Sequence, residues 1–262
     1  AMMALAAWGV WRLWRRRSPP VEGSRRPQPR ALAGKSFALL LPLCGVACAL
    51  LLAAAAQNSQ PVHDSVGNSL WLGLCSAAIG AVICLLWLAL GPSRFGEWIW
   101  LPLILPALPL VDGQYQLALY TWLDGERLTV LWGHLLWVVP WMLFILRPAW
   151  RARDPRAELV ARTLGWQRGR IFWLVTLPAL TRPLLTALAV GFSVSIAQYL
   201  PTLWLGGGRV ATLTSEAVAL SSGGDTSTLA AQALWQLLLP ALFFAATALL
   251  AWLIGRYRQG LR

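Results

Sequence analysis

Charged residues are scarce in this sequence of 262 residues. They make up 12% of it, whereas a soluble globular domain has about a quarter of its residues charged. Hydrophobic residues make up 58% and come in long blocks rather than at the spacing of an amphipathic helix. The composition therefore excludes an ordinary soluble domain and indicates an integral membrane protein.

Residues suited to polar chemistry are also few. No Ser/His/Asp set and no pair of carboxylates stands out, and His134 lies inside an apolar run, where we expect it to be buried with its hydrogen bonds satisfied. The sequence has four cysteines, all within apolar runs and without a histidine or acid at metal-ligand spacing: Cys44, Cys48, Cys75 and Cys84. We therefore expect neither an enzyme nor a bound cofactor or metal.

Six apolar runs dominate the rest of the chain. A spanning helix needs roughly 20 apolar residues, and in lipid its backbone must satisfy its own hydrogen bonds. The third run is short and carries Pro102 and Pro106. We expect an all-α membrane bundle with six transmembrane helices near residues 36–57, 69–91, 97–112, 129–147, 180–204 and 230–254.

Two segments precede these runs. Residues 1–14 place an apolar stretch before a cluster of arginines, the reverse of a signal peptide, and we interpret them as the truncated end of a preceding transmembrane helix. Residues 15–35 are basic and rich in proline, which predicts a cytoplasmic linker. Residues 36–262 are then expected to form the six-helix module.

Positive charge is divided unequally between the two sides of the expected membrane. With the linker in the cytoplasm, only Arg127 and Arg209 of the 22 Lys and Arg residues fall outside. This pattern follows the positive-inside rule and predicts a multi-pass protein of the bacterial inner (plasma) membrane. The basic surface then faces anionic lipid and cytoplasmic partners, so the net charge of +12 does not indicate nucleic-acid binding.

The cytoplasmic connection 148–179 is longer than most connections between packed helices. Residues 156–164 contain no Gly or Pro and predict a helix, after which Gly165 permits a turn. A second helix is predicted over 167–177, ended by Pro178, with one face formed by Ile171, Leu174 and Val175. We expect a helix–turn–helix at the membrane surface; a basic loop that only orients the protein is the alternative.

Within residues 161–178, the run ARTLG…VTLP resembles the cytoplasmic signature of permease subunits of binding-protein-dependent ABC importers. That signature begins Glu-Ala-Ala, continues to a Gly and ends in Leu-Pro. In this chain Leu159 stands where the Glu is expected, and Glu158 lies one position early. The resemblance implies that the segment docks into a cleft of a cytoplasmic ATPase, expected to be a dimer, and transmits its motion. The coupling residues that it implies are Glu158, Ala161, Gly165, Leu177 and Pro178.

Residues 193–219 resemble the fused, double-length permeases of the ferric-iron, thiamine and related importers. This resemblance implies that the chain is the second half of such a permease. The implied partners are the other permease half, the separate ATPase that hydrolyses ATP, and an extracytoplasmic substrate-binding protein. The chain itself would form part of the translocation path.

Polar side chains in the last two runs are the candidates for that path. Ser195, Gln198 and Thr202 follow Gly191 at spacings of three and four, which places them on one face of a helix. Gln232 and Gln236 form a similar one-turn pair in the sixth run. Such residues either join helices or line a path, and both interpretations stay open.

Two further alternatives concern the outer side and the function. The outer segment 205–229 is predicted to contain a short helix around 214–220. Three roles stay open for this segment: contact with a binding protein, re-entry into the membrane, or a flexible loop. A secondary transporter or channel subunit is the alternative function. It would need ionisable residues within the membrane or a paired pattern of broken helices. A membrane enzyme or an assembly scaffold is a second alternative.

Overall fold

The computed structural model describes residues 31–90 and 98–259, and within them the side chains of 42–90 and 98–256. The predicted truncated helix 1–14 and residues 15–30 of the predicted linker lie outside the described residues. The chain divides into two compact units, Ala1–Val46 and Ala47–Arg262. The described part of the first unit is helical, and the packing reported below belongs to the second unit.

The described residues form helices and no strand, in agreement with the predicted all-α class. Short 3-10 turns lie at Ala56–Asn58 and Trp98–Trp100. The helices are α1 (Ala31–Ala55), α2 (His63–Leu90), α3 (Leu101–Ile104), α4 (Ala107–Tyr120), α5 (Arg127–Arg151), α6 (Pro155–Thr163), α7 (Arg168–Ala179), α8 (Thr181–Ile196), α9 (Leu200–Gly206), α10 (Leu213–Ser221) and α11 (Thr226–Gln259).

Span-length apolar helices are fewer than the six predicted. Within the described ranges, α2, α5 and α11 are long and apolar enough to cross a membrane. A fourth span is obtained if α7 and α8, which meet at a bend of 74°, count as one broken span. The first run corresponds to α1, which starts at Ala31, inside the predicted linker 15–35. The count of six spans stays a prediction.

Proline explains why two of the predicted runs are broken. In the third run, Leu105 is extended (ψ 148°) and separates α3 from α4, because the residue before Pro106 avoids the helical conformation. In the fifth run, α8 ends at Ile196 and α9 begins at Leu200. Pro201 has no N–H to bond the carbonyl of Ala197, and its ring clashes with that carbonyl in a continuous helix. The expectation of one helix over 180–204 is therefore wrong.

The centre of the second unit is formed by α2, α5 and α8, which pack against one another. Glycines allow the close approach: a Cβ on Gly73 would lie 2.7 Å from the ring of Phe192, and one on Gly80 would lie 2.9 Å from the sulfur of Met142. Small residues at helix interfaces are how membrane helices gain van der Waals contact, since lipid provides little hydrophobic driving force between them.

Apolar side chains cover the outer faces of the long helices. On α2, Val82 and Leu86 are more than half exposed, and on α11 the same holds for Leu242 and Leu249. Such surfaces are expected where acyl chains rather than water surround a helix. The arrangement leaves the polar residues of the same helices in the interior, where they must bond to one another.

Candidate functional site

The predicted helix–turn–helix is present between α5 and α8. Asp154 caps α6 by accepting a hydrogen bond from the backbone N–H of Arg156 at 2.9 Å, and Pro155 occupies the first turn. Gly165 has φ +78°, a left-handed backbone conformation that is unfavourable for residues with a side chain. It follows the last turn of α6, as a C-terminal glycine commonly does. The backbone N–H of Trp166 bonds back to the carbonyl of Ala161 at 3.1 Å. The tight turn therefore depends on Gly165.

The second helix of the segment differs from the prediction in two respects. It contains a π turn over Phe172–Thr176, where the wider turn shifts the side-chain register. As a result Ile171 is buried, but Leu174 is 56% exposed, so the predicted common face is wrong for Leu174. Pro178 does not end the helix either. The helix continues to Ala179, and the bend into α8 lies at Leu180.

Glu158 joins three parts of the segment. Its carboxylate forms an ion pair with Arg153 and accepts a hydrogen bond from the Thr176 hydroxyl at 3.0 Å. Arg153 follows the end of α5, Glu158 lies on α6, and Thr176 lies on α7. The guanidinium of Arg153 is further fixed 3.6 Å above the ring of Trp150. The acid that lies one position early in the signature is thus turned toward its own chain.

An apolar surface, the tip, lies on the outer side of α6 and at the turn. It consists of Leu159, Val160 and Leu164, which are 58%, 59% and 68% exposed, and it ends at Gly165. The neighbouring Ala161 is 5% exposed and faces the interior of the segment. Three exposed apolar residues next to a rigid turn form a surface suited to a partner.

The three polar residues predicted for the fifth run all bond to one buried residue, His134 of α5, two of them to its ring and one to its backbone. The ring Nδ1 lies 2.7 Å from Ser195 Oγ, and Nε2 lies 2.9 Å from Thr202 Oγ1. Gln198 donates from Nε2 to the carbonyl of His134 at 3.2 Å. Ser195 belongs to α8 and Thr202 to α9, so they do not share one helical face as expected. They converge because the break between the two helices reorients α9.

Hydrogen-bond directions follow from the surroundings of this cluster. The Thr202 hydroxyl donates to the carbonyl of Gln198 at 3.1 Å, so its oxygen is free to accept from His134 Nε2–H. His134 Nδ1 then accepts from Ser195. Ser76 Oγ of α2 lies 3.3 Å from Ser195 Oγ and extends the cluster to a fourth helix. Within the described residues, the buried Gln198 Oε1 has no partner.

Gln232 and Gln236, the predicted pair on α11, do not bond to the His134 cluster but to other residues. Gln232 is 4% exposed and accepts a hydrogen bond from the hydroxyl of Ser65 on α2 at 2.9 Å. Gln236 donates to Thr214 Oγ1 of α10 at 3.1 Å. Thr214 in turn donates to the carbonyl of Ile196, at the end of α8. The two glutamines therefore fasten α11 to its neighbours.

Comparison with known proteins supplies the family. Residues 36–258 match the family described as binding-protein-dependent transport system inner membrane component. This chain belongs to that family. Over all of its 262 residues it is 56% identical to the inner membrane ABC transporter permease protein YnjC of Escherichia coli (strain K12). The chain spans 51% of the length of that relative.

Family membership establishes that the helices described above belong to a membrane protein. This inner membrane component is a multi-pass membrane protein, and its apolar helices α2, α5 and α11 agree with that location. Among the described residues, no group of three or more His, Cys, Asp or Glu is placed to hold a metal ion.

The segment 205–229, predicted to lie on the outer side, is ordered by specific contacts. The helix predicted around 214–220 is present as α10, with a capping box formed by Thr212 and Ser215. Asn68 donates to the carbonyl of Ala211 at 2.9 Å, and Leu213 N–H donates to Ser69 Oγ at 2.9 Å. The flexible-loop alternative is therefore wrong.

The start of α11 is capped by Asp225. Hydrogen bonds from Thr228 and Ser227 lower the pKa of this carboxyl below its ordinary value. Ser227 also donates to the carbonyl of Asn58 at 3.2 Å, and the N–H of Gln60 donates to Thr228 Oγ1 at 3.0 Å. The connection after α1 is thereby tied to the start of α11.

Sequence reasoning identified His134 as a satisfied buried residue but did not connect it with Ser195 and Thr202. It also missed Arg153 and Thr176, the partners of Glu158. No local pattern points to these contacts, because each joins different helices. The sole available signal was that a polar side chain in an apolar run must find a partner.

Proposed function

We propose that the chain is one permease half of an ABC importer, coupled through residues 156–178 to a separate ATPase. The observation that carries the proposal is the tip, Leu159, Val160 and Leu164, exposed on a helix–turn–helix that leads directly into α8. A cleft in the ATPase would bury these side chains. ATP hydrolysis belongs to that partner, so the chain itself is not an enzyme.

Contacts within the segment support the transmission of motion. The hydrogen bond of Glu158 with Thr176 joins α6 to α7, so a displacement of the tip moves both helices. The ion pair of Glu158 with Arg153 ties α6 to the residues that follow α5. At the bend, the Thr181 hydroxyl donates to the carbonyl of Pro178 at 2.9 Å. The displacement therefore reaches α8, which is the element that the ATPase would bias between outward-facing and inward-facing states.

The polar cluster around His134 is the proposed inner part of the translocation path. Ser195 lies near the end of α8 and Thr202 in α9, on either side of the break. A rotation of α8 relative to α9 would change their distances to the imidazole. The unpartnered Gln198 Oε1 is the atom that we assign to a passing substrate's hydrogen-bond donor. Gln232 and Gln236 are assigned to fastening α11.

Two further partners belong to the proposal. A second permease half is required, and the relative's length, about twice that of this chain, supports a fused double-length protein of the ferric-iron or thiamine type. An extracytoplasmic binding protein is assigned to the outer segment with α10, whose fixed position provides a surface for docking. Delivery of substrate from outside makes the direction import.

Site-specific crosslinking tests the proposal. A photoreactive amino acid at Leu164, 68% exposed in the tip, is compared with one at Val218, 42% exposed on α10. In membranes that contain the full-length protein, its ATPase and its binding protein, we expect Leu164 to crosslink to the ATPase and Val218 not to do so. Crosslinking of neither position to an ATPase, together with uptake that does not depend on ATP, would indicate a secondary transporter or channel instead.

A further inference from the structure

A cavity at the side predicted to be cytoplasmic combines basic and apolar walls. It has a volume of about 350 Å³ and lies where the ends of α2 and α5 meet α6 and α7. Its apolar part includes Leu90, Trp150, Ile171 and Phe172. Its charged part is formed by three arginines and one glutamate: Arg153, Arg162, Arg168 and Glu158.

Within the part of the chain that the structure describes, one of the three arginines in this basic cavity is paired with an acid, and the other two are not. Arg153 and Glu158 form an ion pair with each other and cancel. Among the described residues, no carboxylate pairs with Arg162 or Arg168, which are both exposed side chains. The cavity therefore presents two uncompensated guanidinium groups, one from each helix of the helix–turn–helix. A guanidinium is suited to bidentate contact with phosphate oxygens.

The apolar wall indicates at which level of the membrane the cavity lies. Leu90 is the last residue of the span-length α2, and Trp150 lies in the last turn of the span-length α5. Tryptophan at the end of a span is typical of the headgroup region. Trp173 and Leu174, on the same part of α7, are 66% and 56% exposed and face outward. The basic cavity thus lies at the level where phosphate groups and the first acyl carbons meet.

We propose that the basic cavity binds a phosphate group through Arg162 and Arg168. Two sources share this chemistry: the headgroup of an anionic membrane phospholipid and free inorganic phosphate. The apolar residues Leu90 and Phe172 give the lipid an additional contact for its acyl chains that inorganic phosphate lacks. Because the two arginines belong to α6 and α7, a bound phosphate joins the two helices and stabilises the segment that carries the tip.

The cavity proposal does not depend on an ATPase contact. The tip residues Leu159, Val160 and Leu164 do not line the cavity, whereas Arg162 and Arg168 do. A variant without these arginines can therefore lose phosphate binding while it still crosslinks from position 164. Conversely, a failed crosslink from position 164 leaves the phosphate measurement unaffected.

Lipid binding to the purified full-length protein tests the proposal. The probes are phosphatidylglycerol, phosphatidylcholine and inorganic phosphate, each titrated in neutral detergent and followed by native mass spectrometry and by the unfolding temperature. The test variant is Arg162→Gln/Arg168→Gln. The matched control is Arg156→Gln/Arg170→Gln, which removes the same charge from the same two helices but outside the cavity.

Phosphatidylglycerol is expected to bind the parent protein and the control, and to bind the test variant about tenfold or more weakly. Arg162→Lys/Arg168→Lys is expected to recover part of the binding, because it restores the charge without the bidentate geometry. Binding of inorganic phosphate with the same dependence on the variants would assign the site to free phosphate. Equal weakening in the test variant and the control, equal binding of phosphatidylcholine, or no binding of any probe overturns the proposal.

Discussion

The Nδ1 atom of His134 lies 2.7 Å from the hydroxyl oxygen of Ser195, across 61 positions of the sequence. Both residues are almost completely buried, with 1% and 2% of their surface exposed. The contact fixes the end of α8 against α5, at the point where Pro201 breaks the fifth run.

Ser195→Ala tests the contribution of this contact. The substitution leaves His134 Nδ1 without its partner in the interior, and we expect a loss of about 1 kcal/mol in the free energy of unfolding. Ser193→Ala is the control, because the Ser193 hydroxyl bonds within its own helix to the carbonyl of Ala189 at 2.8 Å. Thermal unfolding in detergent measures both variants. Equal stability of the two would remove the assigned role of His134 in holding α8.

Gly73→Ala tests the close packing of α2. Its Cβ would lie 2.7 Å from the ring of Phe192, and overpacking of this kind costs roughly 1–3 kcal/mol. Gly67→Ala, on the same helix, meets nothing within 4 Å and is expected to be neutral or slightly stabilising. Urea- or heat-induced unfolding of the purified protein checks the difference. The packing described for α2 and α8 is contradicted if both alanines have the same effect.

Gly165→Asp and Pro178→Arg test the coupling segment. The first forces a side chain into a positive-φ turn, and the second replaces the proline next to the bend into α8. We expect either variant to abolish uptake of the binding protein's ligand while the protein still inserts into the membrane. Gly169→Ala is the control, since its Cβ has open space and its helix does not need a positive φ. Normal uptake by the Gly165 and Pro178 variants, at normal membrane levels, would refute the coupling role.

Charge reversal tests the bond between Glu158 and Arg153. Both side chains are partly exposed, so the pair contributes only about 0–1 kcal/mol to stability. Glu158→Arg is nevertheless expected to uncouple ATP hydrolysis from uptake, because α6 loses its link to the end of α5. Glu158→Arg/Arg153→Glu restores the opposite charges and should recover a measurable part of transport. Transport that the single variant leaves unchanged, or a double variant no better than the single one, argues against this link.

Secondary-structure elements that depend on residues close in sequence were predicted with useful accuracy. The helix over 156–164, the turn at Gly165 and the short helix around 214–220 each correspond to an element of the structure, with ends shifted by one residue or so. Each depends on residues close in sequence: good helix formers, a glycine, a capping Thr212. Local signals of this kind act over three or four residues.

The errors arose where proline or a π turn competed with an apolar run. Pro201 divides the run 180–204, and the π turn over Phe172–Thr176 rotates Leu174 to the surface. The mean hydropathy of a sequence window does not reveal a helix break at a proline or the register shift of a π turn. Pro178 was given too strong a role, because α7 continues past it to Ala179 and the bend lies at Leu180.

By itself the sequence determined the helical class and the existence of a structured segment between the fourth and fifth apolar runs, since these depend on composition and local pattern. The orientation that its basic residues predict stays a prediction. Tertiary structure alone decided which polar groups meet. His134 with Ser195 and Thr202, Gln232 with Ser65, and Glu158 with Thr176 are pairs from different helices. Their distances depend on how closely the helices pack, and that is set by glycines and by the break at Pro201 rather than by the polar residues themselves.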